Sequence, residues 1–408
     1  MINCVDPKNL KIYTLHMRRD SDIGDKAISD SQAIRYYKED DDSEIDIRPA
    51  FFRDVDRIVH SKAYARYIDK TQVFFGINNA NITHRSLHVI LVARIARQIG
   101  RILKFNTDLI EAIALSHDVG HSPFGHLGEY ILNDISLNYN MGVFNHNAQG
   151  VRWLSHLEKR FPNKPAQGLN LTLQVLDGVL CHDGEVNEQE LKPVSINGKT
   201  WEDHFAEYME SSSTNKLRRV PMSFEAIAVR FADSIAYIGR DIEDAILLKL
   251  IKRTDIPNNC RDVLGDTNRK IMKTLIMDLL NTSLHSNKIG YSTPIFDAFK
   301  ELKKFNYDKI YSRRDMYKTE DSKTSYLEKL TQQFELIFKR SLEDLEKERV
   351  NAPIFRDHIE YIDDESYSTY YKPNKEQGNL ALIARDYVAG MSDKYFHEIY
   401  SRFKTSQN

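Results

Sequence analysis

Between Ser116 and Glu129 the chain reads Ser-His-Asp-Val-Gly-His-Ser-Pro-Phe-Gly-His-Leu-Gly-Glu, placing three histidines and two carboxylates within fourteen positions. Imidazole nitrogen and carboxylate oxygen together suit Mn2+, Fe2+, Zn2+ or Mg2+ better than a thiol-loving ion. His117 and Asp118 are adjacent, so on one helix they cannot point the same way. They can flank an ion lying beside a helix end, provided other segments complete the shell. Gly120, Pro123 and Gly125 supply the end and the turn. His88 and Asp233 are the natural completing ligands, because each sits on a helical face that is otherwise apolar.

Three helices must position these groups. From Arg85 to Leu103, the residues His88, Leu91, Val92, Ile95, Ile99 and Ile102 recur at three- and four-residue steps and share one face. A second helix begins near Thr107, read as its N-cap, and aligns Ile110, Ile113, Ala114 and His117. A third runs from about Ser223 to Lys249, with Ala226, Val229, Asp233, Ala236, Tyr237 and Asp241 in a narrow sector. Each face turns a histidine or an aspartate the way its core residues turn. A buried carboxylate needs a cation, a strong donor or a metal.

The whole chain of 408 residues is long enough for one large domain or two packed ones, and is 41% hydrophobic and 28% charged. Seventeen glycines, eleven prolines and no long β-branched alternation predict an all-α protein. The predicted organisation is a polar segment over 1–48, a catalytic helical core over 49–250, and a helical region over 251–408 that packs on the core and completes the pocket. The net charge of -2 gives no global field for nonspecific nucleic-acid binding. Cys4, Cys181 and Cys260 are odd in number and form no CxxC pair, which argues against a disulfide framework or a thiolate zinc site. With no apolar signal core and no run long enough to span a bilayer, a soluble, cytoplasmic protein is expected. The acidic run Lys38–Glu44 and the basic runs Lys300–Lys304 and Arg313-Arg314 read as solvated faces or loops.

His88, His117-Asp118 and Asp233 match the H…HD…D signature of the HD superfamily of metal-dependent phosphohydrolases. The longer string His117–Glu129 resembles the motif of the dGTPase-like deoxynucleoside triphosphate triphosphohydrolases. So do Arg53–Ile58 with Lys70–Phe74, Phe144–Gln149, Gly168–Thr172, Ala232–Tyr237 and Asp386–Asp393, so the similarity spans about residues 50 to 400. His84 and His88 compete for the first ligand position. The family pattern Arg-x-x-His, with an arginine nine residues on, fits Arg85, His88 and Arg97, so His88 is assigned and His84 is left outside the ligand set.

The resemblance implies an HD-domain helical core, a divalent cofactor such as Mn2+ or Mg2+ on His88, His117, Asp118 and Asp233, and cleavage of a dNTP to deoxynucleoside and inorganic triphosphate. In that reaction a water activated by the metal attacks the α-phosphorus, and His126, held by Glu129, protonates the leaving 5′-oxygen. His121 and His146 match pocket histidines that bind phosphate oxygens or metal-bound water. Arg85 resembles a phosphate-contacting arginine, and Arg57 and Lys70 are further phosphate candidates or else partners in structural ion pairs; Arg230 or Arg240 is a third possibility. Tyr237 would pack where a 2′-hydroxyl would clash, and Asp241 would accept from the 3′-hydroxyl. The chain departs from the pattern at Ala65, at Ile68 and in Cys181–Glu185, which keeps His182, so dGTP is a family-level expectation and the base stays open. Relatives imply a homo-oligomer with regulatory dNTP or single-stranded DNA sites. The alternatives are an HD phosphohydrolase acting on another nucleotide, or a nucleotide-sensing or single-stranded-DNA-binding regulator.

Overall fold

The longest helix is buried on nearly every side, and the rest of the chain is arranged around it. A computed structural model describes residues 23–38, 48–74, 81–161, 163–182, 188–194, 198–211, 213, 219–312 and 326–405. Cys4, the acidic positions 39–44, Asp183–Glu185 and Arg313-Arg314 lie outside the described residues.

Numbering α-helices of seven residues or more, the first part holds α1 (Ala50–Val59), α2 (Arg85–Leu103), α3 (Thr107–Ser116), α4 (Gly125–Asn138) and α5 (His146–Arg152). It continues with α6 (Leu173–Leu180), α7 (Trp201–Ser211) and α8 (Phe224–Leu247). Then follow α9 (Asn268–Ser283), α10 (Thr293–Asn306), α11 (Tyr326–Glu346), α12 (Leu380–Ala389) and α13 (Asp393–Thr405). The described strands are two, Glu190–Leu191 and Ile289–Gly290, paired antiparallel. The all-α expectation holds.

α8 packs against α2, α3 and α9, and α2 packs along α3. Ser223 caps α8, its side chain accepting from Ala226 N. The expected helix over 85–103 has the bounds of α2, but its apolar face is rotated from the sequence reading. Val89, Ala93 and Ala96 are buried, Leu91 is half-buried, and Ile102 is 47% exposed. The cap of α3 is Asn106 rather than Thr107: its side chain accepts from Asp108 N and Leu109 N, and its own amide hydrogens reach Ile28 O. Either residue type can cap, and the tertiary partner decides.

One set of contacting buried side chains runs from Phe51 to Phe403, on both sides of residue 250. α11 packs on α12, α13 and α4. Residues 23–38 dock on the same body: Ile28 N donates to Glu225, and Arg35 pairs with buried Asp54, which also accepts from Thr172. Two motifs recognised in the sequence are struts. Asp386 shares the Arg152 Nε–H between its two oxygens and accepts also from Arg152 Nη2 and Gln149, while Asp393 accepts from Thr71 and Phe124 N. No helix among the described residues is long and apolar enough to cross a membrane.

Candidate metal centre

α3 ends at Ser116, and its C-cap His117 directs its ring inward. The chain then turns through residues 118–124 and re-enters a helix at Gly125, with Phe124 and Gly125 both left-handed at φ +60° and +55°. Gly120 lets this turn lie against α5, since a Cβ there would sit 1.9 Å from His146 O. The turn therefore carries Asp118 and His121 to a point where α2 brings His88 and α8 brings Asp233.

The four expected ligands converge. His88 Nε2 lies 2.9 Å from Asp233 Oδ1 and 3.8 Å from Asp118 Oδ2, and His117 Nε2 lies 3.4 Å from Asp118 Oδ1 and 3.9 Å from Asp233 Oδ1. All four are buried. His117 Nδ1 is 2.7 Å from Ala114 O, which can only accept, so the proton sits on Nδ1. Nε2 is left buried with no hydrogen-bond partner, its lone pair facing the two carboxylates. A divalent ion satisfies that atom, and two imidazoles with two carboxylates form a donor set that fits one. His84, by contrast, is the N-cap residue of α2 and takes no part in this group.

Asp118 is the hub. Burial alone would raise its pKa, but its neighbours His117, Arg85 and His121 outweigh it and hold the carboxyl well below its ordinary range. Asp233 is likewise held ionised against burial, chiefly by its hydrogen bond from His88. Burial opposes the charged form of His88, yet the hydrogen bond and charge of Asp233 raise it overall.

A second ring of groups lies beyond Asp118. His121 Nε2 is 3.2 Å from Asp118 Oδ1, and burial with Arg85 and His146 nearby keeps its imidazole well below the usual pKa. His146 stacks on His121 at 3.9 Å. Its Nδ1 lies 2.9 and 3.0 Å from the two oxygens of Glu129, whose charge outweighs burial and raises it. His126 Nδ1 is 3.1 Å from Glu129 Oε2, so the expected His126–Glu129 pair forms, with the His126 side chain 80% exposed. Glu129 thus serves two histidines. A cavity of about 320 Å³ opens beside it, lined in part by His126, Tyr130, Asn133 and Arg219.

The expected phosphate cations separate. Arg85 is buried and its guanidinium donates to Asp118 Oδ2, so it first of all orients a ligand. Lys70 is buried with its ammonium on His121 O, and Arg57 donates to Leu169 O and Asn170 O; neither joins the cluster. Arg240 donates to Thr83 Oγ1, and Arg230 to Arg219 O. Tyr237 is half-buried on α8 between Asp233 and Asp241. Asp241 is buried and pushed up to about 7, mainly by burial, while a 2.6 Å hydrogen bond from Tyr311 opposes the shift. Two residues escaped the sequence reading as parts of the site. His182 was noted without a role, and it reaches His146 and Asp118. Tyr311 carried no signal, since it ends an irregular helical turn 70 positions from its partner.

Comparison with known proteins agrees with this geometry. The HD domain family matches residues 85–238, which contain all four converging ligands. A deoxyguanosinetriphosphate triphosphohydrolase-like protein of Clostridium tetani is 32% identical over 406 residues, covering 97% of this chain and 97% of its own length. Proteins of the same description from Clostridium perfringens and Caldanaerobacter subterraneus are each 33% identical, over 87% of this chain and 88% and 85% of their own lengths. With its ligand quartet inside the matched region and near-complete coverage of such relatives, the chain belongs to the deoxyguanosinetriphosphate triphosphohydrolase-like family of HD-domain proteins.

Proposed function

We propose that the protein hydrolyses deoxynucleoside triphosphates to deoxynucleoside and inorganic triphosphate, with dGTP the first substrate to test. The observation that carries this reading is the placement of Tyr237 and Asp241 on the same helix as Asp233, one and two turns further on. A nucleotide whose phosphates meet the cluster has its sugar within reach of that face. Asp241 accepts from the 3′-hydroxyl, and Tyr237 fills the volume a 2′-hydroxyl would need.

A divalent ion on His88, His117, Asp118 and Asp233 supplies Lewis acidity and offsets phosphate charge when bound. The chain's own groups do the rest. Arg85 fixes Asp118 and keeps its remaining N–H groups for a phosphate oxygen. Glu129 orients His126, whose exposed ring delivers a proton to the departing 5′-oxygen, while His121 and His146 line the phosphate path. Lys70 and Arg57 have structural parts in this scheme, one under the metal-binding turn and one against 169–170. The metal, Mn2+ or Mg2+, and assembly into a homo-oligomer with regulatory dNTP or single-stranded DNA belong to the same proposal.

The test is turnover of each dNTP alone and in pairs with Mg2+, Mn2+ or Co2+, with product identification. Release of inorganic triphosphate is expected. Orthophosphate or pyrophosphate as the first product overturns the reading in favour of another nucleotide phosphohydrolase, and no turnover in any mixture favours a nucleotide sensor. His126→Ala is expected to lower kcat at least a hundredfold with metal content unchanged.

A further inference from the structure

Tyr67 sits against the metal cluster, and nothing in the proposed reaction uses it. It belongs to the short helical turn Arg66–Asp69, which packs on α2, and it is 2% exposed. Its ring lies edge-on to Tyr64 at 5.4 Å, which fixes where the hydroxyl sits. Burial and the charge of Asp118 push the phenol well above its usual range, with Arg85 opposing, so the hydroxyl keeps its hydrogen beside that ion pair. The backbone N–H of Asp118 also opposes the rise, but an amide N–H only donates and offers the hydroxyl hydrogen nothing to bond to. The hydroxyl is accordingly buried with no hydrogen-bond partner among the described residues.

Arg85 repeats the pattern. Its guanidinium donates to Asp118 Oδ2, yet its Nε is buried without a partner among the described residues. Two buried donors are thus left over beside Asp118, and an unpaired donor in the interior is costly. A metal ion on the quartet satisfies neither, because a donor hydrogen needs an acceptor. The other cations that the sequence offered to a triphosphate, Lys70 and Arg57, are held by backbone carbonyls.

We propose that Tyr67 is a phosphate-binding residue, its hydroxyl donating, together with the Nε–H of Arg85, to a phosphate oxygen of the nucleotide next to Asp118. An ionised phosphate oxygen has lone pairs for both donors, and bonds to it are stronger than bonds to a neutral acceptor. The choice of a phosphate as ligand rests on the hydrolase reading; the two unpaired donors do not. In the free protein the hydroxyl is a cost, and in the complex it is a bond. Tyr67→Phe separates the two states, since the phenyl ring fills the same space and lacks only the donor.

With Mg2+ in constant excess and no nucleotide, Tyr67→Phe is expected to unfold in calorimetry at a temperature no lower than its parent. Inorganic triphosphate, titrated into the same protein in an isothermal calorimeter, is expected to bind at least about fivefold more weakly. A lower midpoint, or a variant that fails to fold, overturns the proposal, because the hydroxyl then has a partner in the free protein. A smaller loss of triphosphate affinity overturns it as well. Weakened triphosphate binding in a chain that turns over no dNTP keeps the site and removes the hydrolase reading. Triphosphate release from a dNTP, with parental triphosphate affinity in the variant, does the reverse.

Discussion

Tyr311 donates its hydroxyl hydrogen to Asp241 Oδ2 at 2.6 Å, so a residue beyond α10 holds a carboxyl that sits on α8 two turns after Asp233. Removing the hydroxyl leaves a buried carboxyl without that donor. Tyr311→Phe is expected to raise KM for a dNTP about tenfold, the equivalent of ~1.4 kcal/mol, with kcat within about twofold. Steady-state kinetics decide it: an unchanged KM means Asp241 does not need the phenol to meet the sugar.

Asp386 is buried, and its partner Arg152 is nearly so. An isosteric change that removes only the negative charge leaves a guanidinium uncompensated in the interior, a cost of about 3–5 kcal/mol. Asp386→Asn should therefore lower the unfolding midpoint by several degrees in calorimetry, and an unchanged midpoint would show that a neutral amide compensates the arginine as well as the carboxylate does.

Glu225 is wholly buried, with Oε1 accepting from Ile28 N and Asn106 N and Oε2 without a partner. Burial lifts it to about 7 from an ordinary 4.5, and the backbone donors only partly offset that. The folded state then holds a proton that the unfolded chain releases above pH 4.5. Stability accordingly falls as pH rises from about 4.5 to 7, by a total on the order of 3 kcal/mol, and levels off above. Glu225→Gln keeps the acceptor and should abolish that part of the slope, giving a variant more stable than its parent at pH 8. Superimposable stability curves for the two proteins would sink the idea.

Binding to the folded state alone stabilises by mass action, about 2.7 kcal/mol at a hundred times Kd. Chelation should lower the thermal midpoint and added Mn2+ restore it, whereas in Asp233→Asn added Mn2+ should recover only a small part of the shift. A midpoint indifferent to chelator would show that the buried histidines are satisfied without an ion.

His88, His117 and Asp233 were readable because each interrupts an apolar helical face, and the spacing Arg85, His88, Arg97 together with that face chooses His88 over His84. Partners chosen by long-range packing were not readable. Arg85 meets a carboxylate 33 residues away and Lys70 a carbonyl 51 away, so both look in the sequence like free cations near a phosphate. Asn106 displaced Thr107 as a cap because Ile28 offered it a carbonyl. His182 could be noticed as a retained histidine, but its direction is set by Val179 O at the end of α6 and by Glu129 acting through His146.

Asp393 accepts from Phe124 N across 269 residues, fastening the turn that carries His117, Asp118 and His121. On the ribosome, that turn is made long before its fastener. A nascent chain lacking α13 has every metal ligand in its sequence and no acceptor to pin the loop between them. The cluster is therefore timed as well as placed: the hydrogen bond that pins its turn forms only once Asp393 has been synthesised and docked.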